Sequence, residues 1–261
     1  MTPLFQNRPT GRRIALVAWQ KFLGAFAAMP VLFLVSAGVF VLLALGVQYA
    51  GQKLDITDPF LDGMESSDAW FYVARTLAMI VLGLPIALAT CRFVLQDETG
   101  AGLASSEGRA FSLWAVGLGA ASLGLLYVRG LITGLPSTVA PAAVLMLIAV
   151  ALPLGCVMIF PDLAAGAPAR SVSGRIENSL SSWSGNILLF LRAAAFALGP
   201  IILPVYFVQK AIANRGGQAV LDRVHAGQTW LLATAALTPL GIALAMALVS
   251  SFYAGARAPK A

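Results

Sequence analysis

One histidine, two cysteines and eleven acidic side chains in 261 residues leave little material for chemistry. His225 has no cysteine and no paired carboxylates beside it, so it does not found a zinc site. Cys91 and Cys156 lie in separate apolar stretches without a CxxC, and read as small buried hydrophobes rather than a disulfide or redox pair. No serine stands in a Gly-x-Ser-x-Gly turn, so a hydrolase elbow is absent. Gly100-Ala101-Gly102 follows no strand and leads to no Gly-Lys-Ser/Thr, which excludes a phosphate loop. No Asp or Glu falls within 69–95, 110–160 or 187–208, so these stretches lack the carboxylate row of a proton relay. Neither an enzyme, a metal nor a cofactor is expected from these residues.

Charge is scarce as well. Charged residues make up 11% of the chain and hydrophobic ones 59%, whereas soluble domains carry about 25% charged residues. One soluble core cannot hide that much apolar surface, but lipid can accept it on the outside. The net charge of +6 does not indicate nucleic acid, because the basic residues are dispersed among apolar stretches. Their placement fits membrane topology and anionic lipid head groups instead.

What is abundant is uncharged length. The run from Phe22 to Val47 holds no charge and is longer than the ~7–15 residues of a signal core. It reads as a retained membrane helix. Six crossings are predicted, at about 24–50, 69–95, 110–131, 139–160, 187–208 and 229–253. The fold class is therefore an all-α integral membrane bundle, a single polytopic domain over 1–261. Two interfacial helices are expected. One precedes the first crossing, from Arg12, with Pro30 kinking or separating the two parts. The other precedes the fifth, where Val172, Ile176, Leu180 and Trp183 recur at helical spacing. That second segment reads equally as a helix packed on the bundle.

Loop charges give orientation. With six crossings, eleven Lys and Arg fall on the side of the chain ends and four on the other, while Arg75 and Arg129 lie within crossings. The positive-inside rule then places both ends in the cytoplasm. The acidic loop Asp55, Asp58, Asp62, Glu65 and Asp68 lies on the opposite side and lacks EF-hand spacing, so it reads as solvated. Interfacial anchors are expected at Arg12, Arg13, Trp19, Trp183 and Arg192, with Glu177 a candidate ion-pair partner for Arg192. Arg75 and Arg129 lie toward the outer side. Either they snorkel or they hold an anionic lipid head group or ligand together. Proline recurs at comparable depths, in Leu84-Pro85, Leu152-Pro153 and Thr238-Pro239, which suggests repeated hairpins whose kinks either shape a central cavity or fit the helices together.

Further along, Phe160-Pro161-Asp162-Leu163-Ala164 is followed by Ser179 to Asn186, reading SLSSWSGN, and then by Phe190-Leu191-Arg192. The order resembles bacterial six-helix membrane proteins related to the membrane domain of glycerophosphodiester phosphodiesterases and to the YciC-like family. Ser182-Trp183 and Gly185-Asn186 carry the likeness, although Ser181 stands where those proteins have a basic residue. The resemblance implies a six-helix fold with cytoplasmic ends and no catalytic residues. The expected function is that of a non-enzymatic protein of a bacterial inner membrane, interacting with lipid or supporting an envelope or partner complex. The alternative is a small transporter or channel subunit. Expected partners are membrane lipids, and a membrane protein or a second copy of the chain.

Overall fold

The computed structural model describes residues 5, 9–54, 69–100, 102–132, 139–166, 171–183, 186–216 and 228–257. The acidic loop at 55–68, the Gly134–Pro136 turn, Arg8, Arg170, Gly185, Arg223, His225 and Lys260 lie outside them. Every regular element among the described residues is a helix. In chain order these are α1 (Gly11–Ala28), α2 (Pro30–Lys53), α3 (Ala69–Gln96), α4 (Ser106–Ile132), α5 (Val139–Cys156), α6 (Ile159–Ala164), α7 (Val172–Trp183), α8 (Ile187–Gly216) and α9 (Gln228–Ala256). Six stretches are long and apolar enough to cross a bilayer: Pro30–Lys53, Trp70–Gln96, Ser106–Arg129, Ala143–Ala164, Ile187–Pro204 and Leu231–Ala256. The protein is an all-α, multi-pass membrane bundle.

Boundaries follow local chemistry. Thr10 opens α1, accepting from the Arg13 backbone N–H at 3.3 Å. The helix stops at Met29, and Pro30 begins α2 at the position where a missing N–H costs nothing. The first crossing is thus α2 alone, starting six residues later than the predicted 24. α1 is a separate element whose Ile14, Ala15, Ala18, Phe22 and Ala25 are buried. Phe26 and Phe33 meet edge to face at 5.1 Å across the break. Such an approach between residues seven apart requires an elbow, since a continuous helix would separate them by about 10 Å.

α4 starts at Ser106 rather than at the expected 110, because Ser105 caps it. Its Oγ accepts from the Gly108 N–H at 3.0 Å and donates to the Gly102 carbonyl at 2.8 Å. The fourth crossing is broken at Val157-Met158, where 3₁₀-type bonds from Val157 N to Leu154 O and from Phe160 N to Val157 O replace the α pattern. Pro161, absent as a donor, follows in α6. α8 runs to Gly216, so Gln209, Lys210 and Arg215 are helical where a loop was expected. Its thirty residues reach about 45 Å, beyond the ~30 Å of hydrocarbon. Gln, Lys, Ala, Ile and Arg are compatible with helix, and nothing at Val208 stops it.

Small residues allow the closest approaches. Ala193 and Ala197 of α8 are fully buried with Ala15 and Ala18 of α1. Ala243 and Ala247 of α9 pack with Ala25 and Ala89. Spacing of three or four puts Ala15 and Ala18, Ala193 and Ala197, and Ala243 and Ala247 each on one helix face, and small side chains let backbones approach where lipid supplies no hydrophobic driving force. α1 lies across the ends of α3, α8 and α9 that share one side of the bundle. Lys21 pairs there with Asp97 just past α3, and a Cβ on Gly255 would meet Pro9 and Ile14. This side is called the termini face below, and its opposite the far face.

Candidate functional site

Two linked clefts lie between α2, α3, α4 and α9. The first, of ≈ 260 Å³, is lined by Phe40, Leu43 and Val47 of α2, Arg75 of α3, and Thr234 and Thr238 of α9, among others. Arg75 sits five residues into its span, about 7.5 Å from Trp70 toward the middle of the bundle. Its guanidinium lies 5.2 Å from the ring centroid of Tyr72, one turn back on the same helix. That geometry is a cation–π contact. A shallow groove between α2 and α3 borders the same arginine and also touches Leu43 and Val47. Leu42 and Gly46 line that groove's outer edge, and Leu42 is exposed.

The second cleft, further along α3, is ≈ 370 Å³ and almost wholly apolar. Met79, Gly83 and Leu84 of α3, Phe111 of α4, Phe160 of α6 and Ile242 of α9 form its walls. Phe40, Met79 and Thr238 line both clefts, so the two adjoin and share a wall. Proline marks the place. Leu84 and Thr238, the residues before Pro85 and Pro239, both line the apolar chamber. Pro239 has no N–H for the Ala235 carbonyl, and Ala235 lines the Arg75 cleft. Thr238 Oγ1 donates to the Thr234 carbonyl at 2.9 Å, a back-bond that favours bending at the same turn. Gly83 leaves the room that Ile242 needs: a Cβ there would stand 2.9 Å from its Cδ1.

Arg129 lies in the last turn of α4, half-buried, and is not among the residues lining either cleft. Of the anchor residues, Arg12, Arg13 and Arg192 are exposed. Trp19 is half-buried, and its indole N–H donates to the Ala197 carbonyl at 3.0 Å. That carbonyl is next to the one that Pro200 leaves without a helical donor. Trp183 stacks among aromatics, 4.8 Å from Phe190 and 5.8 Å from Phe252. Glu177 is exposed, and no ion pair joins it to Arg192 among the described residues.

A second polar centre was not foreseen. Asp162 of α6 is buried at 2% exposure near the termini face. Its Oδ1 accepts from Tyr253 Oη at 2.7 Å and Arg257 Nη2 at 3.0 Å, with Asn178 Nδ2 at 3.4 Å. Arg175 Nη1 stands 3.6 Å from Oδ2 and is itself only 9% exposed. Arg257 also lies 4.1 Å from the Tyr253 ring centroid. One carboxylate therefore ties α6, α7 and the end of α9 together. The available signal was a lone acid beside Pro161 at the end of an apolar run. α7 presents Arg175 and Ser179 inward, with Ser179 Oγ donating to the Gly155 carbonyl at 2.7 Å. Val172 and Leu180 face out. The helix is thus packed on α5 and α6, and its inner contacts are polar as well as apolar.

Among the described residues, no three His, Cys, Asp or Glu side chains gather as a metal site. Comparison with protein families, with curated proteins and with solved structures finds no match to this chain.

Proposed function

We propose that the chain is a non-enzymatic protein of a bacterial inner membrane that interacts with lipid, on its own or in support of an envelope or partner complex. The observation that carries the reading is Arg75. A cation placed about a turn and a half below the far face, at the mouth of an apolar cleft, suits an amphiphile lying in the bilayer. The basic residues favour cytoplasmic ends, with eleven on the termini side against four opposite. A place beside the YciC-like proteins rests on Phe160–Ala164, Ser179–Asn186 and Phe190–Arg192.

Lipid analysis of the protein extracted into native nanodiscs tests this. Retained anionic lipid, enriched over the bulk membrane, is the expected outcome. A lipid profile identical to that of the surrounding membrane would remove the reading. Reporter fusions after Lys260 and within the 55–68 loop are expected to report cytoplasm and exterior, respectively. The small-transporter reading is favoured by one observation, the residues before Pro85 and Pro239 lining a single chamber. Solute flux in proteoliposomes would support it over the first.

A further inference from the structure

We propose that the Asp162 node on the termini face is a binding site for a phosphate-type oxyanion, held by Arg175 and Arg257. The site is separate from the Arg75 cleft. It goes beyond the lipid-interacting reading, because the same oxyanion is carried by lipid head groups and by free phosphate.

Three observations point to that ligand. The first is charge. Two guanidiniums, those of Arg175 and Arg257, face one carboxylate, Asp162. Among the described residues no other acid pairs with either. Asp97 pairs with Lys21, and Glu107 interacts with Arg92. Glu177 stands two positions from Arg175 on α7, about 200° round the helix, and is exposed where Arg175 is buried. The node therefore holds one positive charge more than it neutralises.

Second, an acceptor is missing. Asp162 Oδ1 receives Tyr253, Arg257 and Asn178 together. Arg175 Nη1 stands 3.6 Å from Oδ2, close enough for an ion pair but too long for a hydrogen bond. That nitrogen is shut off from solvent and has no hydrogen-bond partner among the described residues. A buried donor left in this state is costly. An oxygen brought from outside supplies the acceptor, and a negative one also balances the charge.

Third, there is a way in. The Arg257 side chain is 45% exposed at the end of α9. Its Nη2 is committed to Asp162, and its face lies against the Tyr253 ring. The other N–H donors of the guanidinium are left for a ligand. A phosphate presents several oxygens, so it can engage two guanidiniums at once, and planar guanidinium forks match it well. The termini face is also the side on which the basic residues gather, as expected where anionic head groups lie.

The test uses the full chain in dodecyl maltoside, a detergent without phosphate, at constant ionic strength. Three probes are titrated: inorganic phosphate, phosphatidylglycerol and uncharged diacylglycerol, the lipids in mixed micelles. Binding is read from the unfolding midpoint and, for the lipids, from adducts in native mass spectrometry. Phosphate, phosphatidylglycerol or both are expected to raise the midpoint saturably, and diacylglycerol is not. A response to phosphatidylglycerol alone identifies a lipid head group as the source, and a response to phosphate identifies the free anion as a ligand. Arg257→Gln leaves the Asp162–Arg175 pair in place and should weaken binding about tenfold, as loss of a charge-assisted contact predicts. Asp162→Asn removes the competing negative charge. It should lower stability and yet tighten binding of the same probe. Should Asp162→Asn fail to fold, Arg257→Gln decides alone.

Equal binding by Arg257→Gln and the wild type overturns the inference. So does weaker binding by a folded Asp162→Asn, an equal shift with diacylglycerol, or no shift with any probe. If the site fails while anionic lipid is still enriched in native nanodiscs, the wider lipid reading stands. If phosphate binds while the nanodiscs show no enrichment, the site stands and the lipid reading falls.

Discussion

Asp162 shows how much one side chain can organise. Removing the carboxylate would leave Arg175 buried without its counter-charge. Breaking a buried pair in this way costs about 3–5 kcal/mol, more than the pair itself is worth. Asp162→Ala is therefore expected to lower the unfolding midpoint in detergent well below that of any single surface change. Tyr253→Phe removes one hydrogen bond to the same charged group and should cost about 2 kcal/mol. Equal stability of the wild type and both variants would mean that this node does not hold the helices. Arg75 carries a different expectation. It lines a cleft, so Arg75→Gln should lower the retention of anionic lipid. From sequence, Arg75 was recognisable because a charge inside an apolar run stands out. Asp162 was less so, since its three strongest partners lie 13, 91 and 95 positions away. Periodicity does not report contacts of that range.

At the scale of elements, α1 is the informative case. It packs against α8 through Gly11, whose missing side chain admits Arg192 Cβ and the Ala193 backbone N to within 2.8 and 3.0 Å of where a Cβ would stand. Gly11→Leu is expected to separate α1 from α8 and expose the Trp19 indole, seen as a red shift and faster quenching of its fluorescence. Trp19→Phe keeps the packing but removes the side-chain hydrogen bond to the Ala197 carbonyl, and should cost about 1 kcal/mol. Thr10→Ala removes the cap and should cost a similar ~1 kcal/mol. An unfolding midpoint unmoved by either change would mean that α1 only rests on the bundle. The existence of α1 before the first crossing was legible from Arg12, Arg13 and the apolar spacing that follows. Its burial was not, because the alanines that bury it look like ordinary helix formers. The α7 segment divides similarly. Its helical spacing was plain, yet Val172 and Leu180 of the apolar stripe face outward while Arg175 and Ser179 go in. Ile176 and Trp183 of the same stripe pack inward beside those polar contacts.

For the whole molecule, hydropathy was enough to fix the class. Each of the six predicted crossings overlaps a span in the structure, and the errors are at boundaries where capping or an elbow intervenes. The clefts were not legible in the same way. Repeated prolines indicated that something happens at their depth, but which helices meet there depends on α3 and α9 packing side by side, at Gly83–Ile242 and Ala89–Ala243. The outward surface is mostly apolar, with exposed residues such as Leu34, Leu113, Leu147, Leu188 and Phe207 spread over several helices. Transfer into buffer without detergent should therefore precipitate the protein, as light scattering would show. A clear monodisperse solution would contradict a bilayer as its solvent.

The Asp162 node also sets an order for biogenesis. Ribosomes make this aspartate well before Arg175, and Tyr253 and Arg257 come almost a hundred codons later. A nascent chain must therefore carry the acid through the translocon, hydrated or paired provisionally, until its last helix arrives. A stop codon placed just before Tyr253 would leave five spans intact and the sixth short by four residues, yet keep that acid from two of its partners. Quality-control proteases would then meet a product that is inserted but never locked, and pulse-chase turnover should be faster than for a stop placed after Arg257.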